Sequence, residues 1–95
     1  MSHILKDSEI TPVVFRVWPD TGDVLALFPF IDEGNGLCSS YEHLGQHGAA
    51  DYTACILKTR QAAEHEYLRL HQELTEMGYA LRVYVRRPSG MRHDS

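Results

Sequence analysis

Six histidines, two cysteines and 13 acidic residues are spread over 95 positions, and the densest gathering of reactive types is YEHLGQHGAADY, residues 41–52. His43 and His47 are four apart. On a helix that spacing sets both imidazoles on one face, within chelating reach of a single ion. Gly45 and Gly48 oppose a helix, each costing about 1 kcal/mol relative to alanine. On a strand, residues four apart share a face but stand roughly 13 Å from each other. Two ligands of one zinc must each lie ~2 Å from it, so only a folded-back loop brings these imidazoles together, with Cys38 or Asp51 completing the set. The plainer reading of GQHGAAD is a turn. Its glycines permit tight reversal, and the polar side chains of Gln46, His47 and Asp51 bond the backbone around them.

Nucleophilic catalysis is the second chemistry available on paper. Cys38 or Cys55, with His43 or His47 and with Asp51, has the residue types of a Cys–His–Asp set. No local signature singles out one combination. Cys55 lies within ACIL and reads as a small core thiol, and a domain this small struggles to exclude water from a reacting centre. Asp32 with Glu33, and Asp20 with Asp23, sit in stretches that read as solvated loops. The chemistry-bearing residues therefore leave an enzyme centred on the GQHG loop as an alternative rather than the leading expectation. No metal and no cofactor is expected.

The elements that would position these residues are clearer. A chain of 95 residues makes one domain, with an ordered core expected over about residues 11–87 and flexible termini on both sides. TPVVFRVW (11–18) and VLALFPF (24–30) are rich in β-branched and aromatic residues, and PDTGD between them is turn chemistry. Together they predict a hairpin. DEGNG (32–36) reads as a loop, LCSSYEHL (37–44) as a third strand, and GQHGAAD (45–51) as a chain reversal. YTACILKT (52–59) fits either a fourth strand or a short helix capped by Asp51. Ala63, Tyr67, Leu70, Leu74 and Met77 fall on one helical stripe, which predicts a helix from Ala62 to Met77. Gly78 suits the left-handed position after it, with Tyr79 placed for the accompanying apolar contact. ALRVYVR (80–86) closes the pattern as a strand. The expected fold is α+β: an antiparallel-dominated sheet of about four strands with one long helix packed on one face.

Such a sheet leaves its second face open. If Leu81, Val83 and Val85 turn toward the helix, then Arg82, Tyr84 and Arg86 turn away, and Arg16 and Trp18 join them from the first strand. Arginines beside aromatics can stack on bases and contact phosphates. The same residue types dominate protein interfaces. The net charge of −4 argues against indiscriminate nucleic-acid binding and favours a protein partner or self-association. The longest apolar run, VLALFPFI (24–31), is interrupted by Pro29 and falls far short of the ~20 residues that span a bilayer. The charged N-terminal segment does not resemble a signal peptide. No membrane contact is expected, the location is read as cytoplasmic, and the thiols as reduced.

Taken together, FRVWPDTGDVLALFP, CSSYEHLGQHGAADY and EYLRLHQELTEMGYALRVYVRR resemble a group of small uncharacterised bacterial proteins, some of them borne on phages and plasmids. The resemblance runs over about residues 14–87, and its most specific part is the H-x-GQHG-x-ADY-like motif. It implies fold and setting, not a reaction. It draws attention to Cys38, Tyr41, His43, Gly45, Gln46, His47, Gly48, Asp51 and Tyr52, which match the pattern. Glu42 departs from it, since an apolar residue is expected there, and this puts the inward face of the third strand in doubt. Gln61 and Ala63 stand where the group tends to carry Pro and Thr, which weakens the helix cap. The leading expectation is a non-enzymatic binding or accessory module acting through protein–protein contact. Nucleic-acid binding through the outer sheet face is the first alternative.

Overall fold

The computed structural model describes residues 10–42 and 46–85. Strand β1 (Thr11–Val17) turns back into β2 (Val24–Gly34), with Val14 opposite Leu27 and Val17 opposite Val24. The reversal is made as its residue types demand. Gly22 takes a positive φ, its N–H and that of Thr21 donate to the Trp18 carbonyl, and the Trp18 N–H donates to Asp23. Strand β2 runs further than its apolar core suggests. Pairing with β3 (Leu37–Glu42) is interrupted between Phe28 and Asp32, where Pro29 has no N–H to give, and then resumes to Gly34. The segment 32–34, expected as loop, is therefore paired strand, and the turn proper is Asn35–Gly36, both at positive φ.

The stretch 46–50 is a strand, not the chain reversal expected of GQHGAAD. Strand β4 (Gln46–Ala50) pairs antiparallel with β3; positions 43–45 between them lie outside the described residues. Helix α1 (Tyr52–Lys58) follows at once. Asp51 caps it by accepting the Ala54 N–H at 3.1 Å, which decides the ambiguity of residues 52–59. A short strand, β5 (Arg60–Gln61), leads to helix α2 (Glu64–Glu76) and then to β6 (Leu81–Tyr84). The six strands form one sheet in the order β4-β3-β2-β1, with β5 and β6 sharing the outer edge of β1. All pairings are antiparallel except β1 with β6.

The fold is thus a small α+β domain, but with six strands and two helices rather than four and one. Helix α2 lies on the side of Val13, Phe15, Val17, Ala26, Phe28 and Tyr41, as its stripe predicts. Leu70 and Leu74 are buried there and Tyr67 stacks on Phe15 at 4.4 Å between ring centroids. The stripe is shorter than expected, because Ala63 and Met77 are the cap positions and both are exposed. The helix ends in a Schellman arrangement: Tyr79 N–H to the Leu74 carbonyl, Gly78 N–H to that of Thr75. Tyr79 then stacks on Phe28.

The opposite face, expected to be open, is covered. Tyr52, Cys55 and Ile56 of α1 fall at helical spacing and pack on Val14, Leu25, Leu27 and Cys38. The physical reason lies in β1 and β2. Val13, Val14 and Phe15 are all buried, as are Leu25, Ala26, Leu27 and Phe28. A strand apolar at consecutive positions needs a cover on both sides.

Candidate functional site

Arg16 stands on the α1 side of the sheet, yet it faces α1 rather than solvent. Its guanidinium donates from Nε to Thr59 Oγ1 at 2.9 Å and from Nη2 to the carbonyls of Ile56 and Thr59 at 3.1 and 2.6 Å. These carbonyls end a helix, where a cation is favoured. Burial presses the guanidinium below its usual pKa, an effect partly offset by Tyr52. Trp18 packs on the same cluster and donates its indole N–H to Glu42 Oε2 at 3.1 Å. That bond gives Glu42 its role: a carboxylate there satisfies a half-buried indole. Tyr84 packs on this cluster too. Arg82 is exposed, and Arg86 lies outside the described residues. Of the five residues expected to share an open face, four are described: Arg16, Trp18 and Tyr84 are packed on the α1 side and only Arg82 is exposed, so they do not make an open surface.

The described members of the loop set are dispersed as well. Cross-strand pairing places Cys38 opposite Ala50 and Tyr41 opposite His47. Cys38 is buried in the cluster under α1, whereas Tyr41 belongs to the core under α2. His47 accordingly emerges on the α2 side, with its ring edge-on to Tyr41 and its Nε2 at 3.3 Å from the Tyr79 hydroxyl. Cys38 and His47 sit on opposite faces and cannot act on one atom. Asp51 is engaged as the α1 cap. His43 and the side chain of Gln46 lie outside the described residues. Burial pushes the Cys55 thiol above its ordinary pKa, with Asp51 and Glu42 adding to the shift and Lys58 opposing it. A thiol held protonated is a poor nucleophile. Among the described residues, no three His, Cys, Asp or Glu side chains gather where they could hold a metal ion.

What the strands do assemble is an edge and a groove. Strand β4 ends the sheet, and among the described residues nothing pairs with its outer side. His47, Gly48 and Ala49 are exposed along it. Beside them, on the α2 side, is a groove of about 430 Å³ lined by Ile31, Glu33, Ser39, His47, Gly48, Ala49 and Tyr79. Ser39 and Ala49, paired across β3 and β4, are with Gly48 the small residues of its lining; Ile31 and Glu33 come from the far part of β2, His47 from β4, and Tyr79 from just beyond α2. The Tyr41 hydroxyl, buried nearby, donates to Glu73 Oε2 of α2 and ties β3 to the helix. Sequence reading missed Ser39, Glu33, Ala49 and Tyr79 as lining residues. The signal available was Tyr79, whose place after Gly78 was legible.

No protein-family model, no curated protein and no solved structure matches this chain. No helix among the described residues is long and apolar enough to cross a membrane.

Proposed function

We propose that this chain is a small non-enzymatic binding or accessory module that works through protein–protein contact, with the β4 edge and its groove as the contact surface. The carrying observation is that β4 is outermost in the sheet, exposed at His47, Gly48 and Ala49, and, among the described residues, unguarded. An edge strand presents a row of backbone donors and acceptors that another strand can satisfy, and edges that must stay single are blunted with Lys, Pro or bulges. QHGAA has none of these. An added strand gains main-chain hydrogen bonds, and pockets beside the edge select its alternate side chains. The groove over Ser39 and Ala49 is such a pocket. The net charge of −4 and the inward commitment of Arg16 and Trp18 weigh toward protein and against nucleic acid. The bacterial or mobile-element setting rests on the resemblance of residues 14–87 alone.

The test is selection of short displayed peptides on immobilised protein. Enriched peptides are expected to be extended and β-branched, and to lose binding to the double variant His47→Lys/Ala49→Lys, which places two cations along the edge. Peptides that bind both proteins equally, or no enrichment by a chain that also stays single in solution, overturn the reading.

A further inference from the structure

Resting on that reading, we propose that the occupant of the β4 edge is a second copy of the same chain, added antiparallel so that β4 pairs with β4 and the two sheets continue as one. Three observations carry this. The first is the order of residue sizes. A two-fold axis through Gly48 sets His47 opposite Ala49 of the second copy, position 46 opposite Ala50, and Gly48 opposite Gly48. Each larger residue meets a small one. The second is charge. An isologous seam brings residues near their own copies, so a strand bearing ionised side chains repels itself. The 13 acidic residues of this chain are absent from β4, which holds only Gln, His, Gly and Ala.

The third is Gly48 itself. Gly22, Gly34, Gly36 and Gly78 take positive φ, and so each answers a demand of the backbone. Gly48 does not. A Cβ built there meets nothing closer than Ser40 Oγ at 3.4 Å, an ordinary contact. Glycine inside a strand weakens it and often marks where another backbone approaches. At a two-fold axis, a side chain would face its own image; glycine removes that conflict. The fold of one copy gives no reason for this glycine, and the pairing of two copies gives one.

A five-residue seam is small beside the interfaces of permanent dimers, so the association is expected to be weak and concentration-dependent. Sedimentation equilibrium from low micromolar to submillimolar protein is expected to show the mass rising from one chain toward two. His47→Lys/Ala49→Lys, which sets like charges opposite one another across the seam, is expected to weaken association by about tenfold or more, with circular dichroism confirming the fold. Leu57→Ser, which removes the most exposed large apolar side chain among the described residues, at 81%, is expected to leave association unchanged. A mass of one chain throughout, or association lost with Leu57→Ser but kept by the double lysine variant, overturns the proposal. A chain that stays single yet still selects edge-dependent peptides sinks the self-pairing and leaves protein contact standing. A single chain that selects none sinks both.

Discussion

Arg16 brings a cation into half-buried surroundings and meets three acceptors there, two of them carbonyls at the end of α1. Hydrogen bonds to a charged group contribute more than neutral ones, and removing the cation takes the Arg16 donor from the carbonyl of Thr59, which is buried and keeps its hydroxyl bond to Cys55. Arg16→Ala is expected to lower unfolding free energy by about 2 kcal/mol in urea titrations; a loss no larger than that of a typical surface substitution would show that the clasp does not hold α1. The alternation of β1 correctly assigned Arg16 and Trp18 to the side away from α2. Alternation reports which face a side chain takes, and says nothing of whether that face is covered. Glu66 makes a second residue-scale case. Its carboxylate accepts from both Nη atoms of Arg60 and from the Ala63 N–H, and the Arg60 bonds first, then the Ala63 bond, hold its pKa down from 4.5 to about 2. A depressed folded-state pKa supplies stability that is present above the unfolded value and lost as pH falls through the folded one. Glu66→Gln is thus expected to melt below the parent chain at pH 6, with the gap closing as pH is lowered from about 4.5 toward 2. A gap that stays constant over that window would show that the carboxylate charge is not what matters.

At the scale of elements, legibility followed the strength of the local signal. The β1–β2 hairpin and α2 were readable because period-2 and period-3.6 apolar patterns are strong over seven or more residues. Strand β4 was not, because Gly and Ala carry little β-propensity and hide any alternation; its strand conformation comes from pairing with β3, a tertiary cause. The site inherits that blindness, since the groove is made by β4 meeting β2 and α2. Helix α1 was half legible, through the Asp51 cap. The start of α2 was read as weakly capped, and the structure shows how it copes. Ala63 has extended backbone angles suited to an N-cap but no side-chain acceptor, so only the Glu66 half of a capping box is made. Ala63→Thr supplies the missing oxygen to an exposed position and is expected to stabilise the domain by about 1 kcal/mol, read as a higher urea midpoint at unchanged slope. No gain would mean that Glu66 and Arg60 already satisfy the first turn.

The whole molecule is a single sheet with a separate apolar cluster on each face, and the strands that carry one carry the other. Leu27 faces α1 while its chain neighbours Ala26 and Phe28 face α2. That sharing was present in the chain as the uninterrupted runs VVF and LALF, whose consecutive burial calls for two covers; reading them as one-sided strands is what left a face open in expectation. The consequence is thermodynamic. Neither helix can lose its seat without baring one face of strands whose other face seats its partner, so the two layers should unfold together despite their unequal lengths of 7 and 13 residues. The side chains provide independent reporters. Trp18 belongs to the α1 side, and the stacked pairs Phe15–Tyr67 and Phe28–Tyr79 belong to the α2 side. Trp18 fluorescence and the nuclear magnetic resonance ring signals of Tyr67 and Tyr79 are expected to trace one coincident urea transition. Leu27→Ala on one face and Leu74→Ala on the other, both fully buried, are each expected to cost about 2–5 kcal/mol and to shift both signals by the same amount. That is a large share of the roughly 5–15 kcal/mol available to a domain, so the milder Leu27→Val and Leu74→Val provide the same comparison if the alanine variants do not fold. Should the tryptophan signal melt first, and should a Leu27 substitution move it alone, α1 would be a separately stable cover, able to lift and expose the face that Arg16 and Trp18 line.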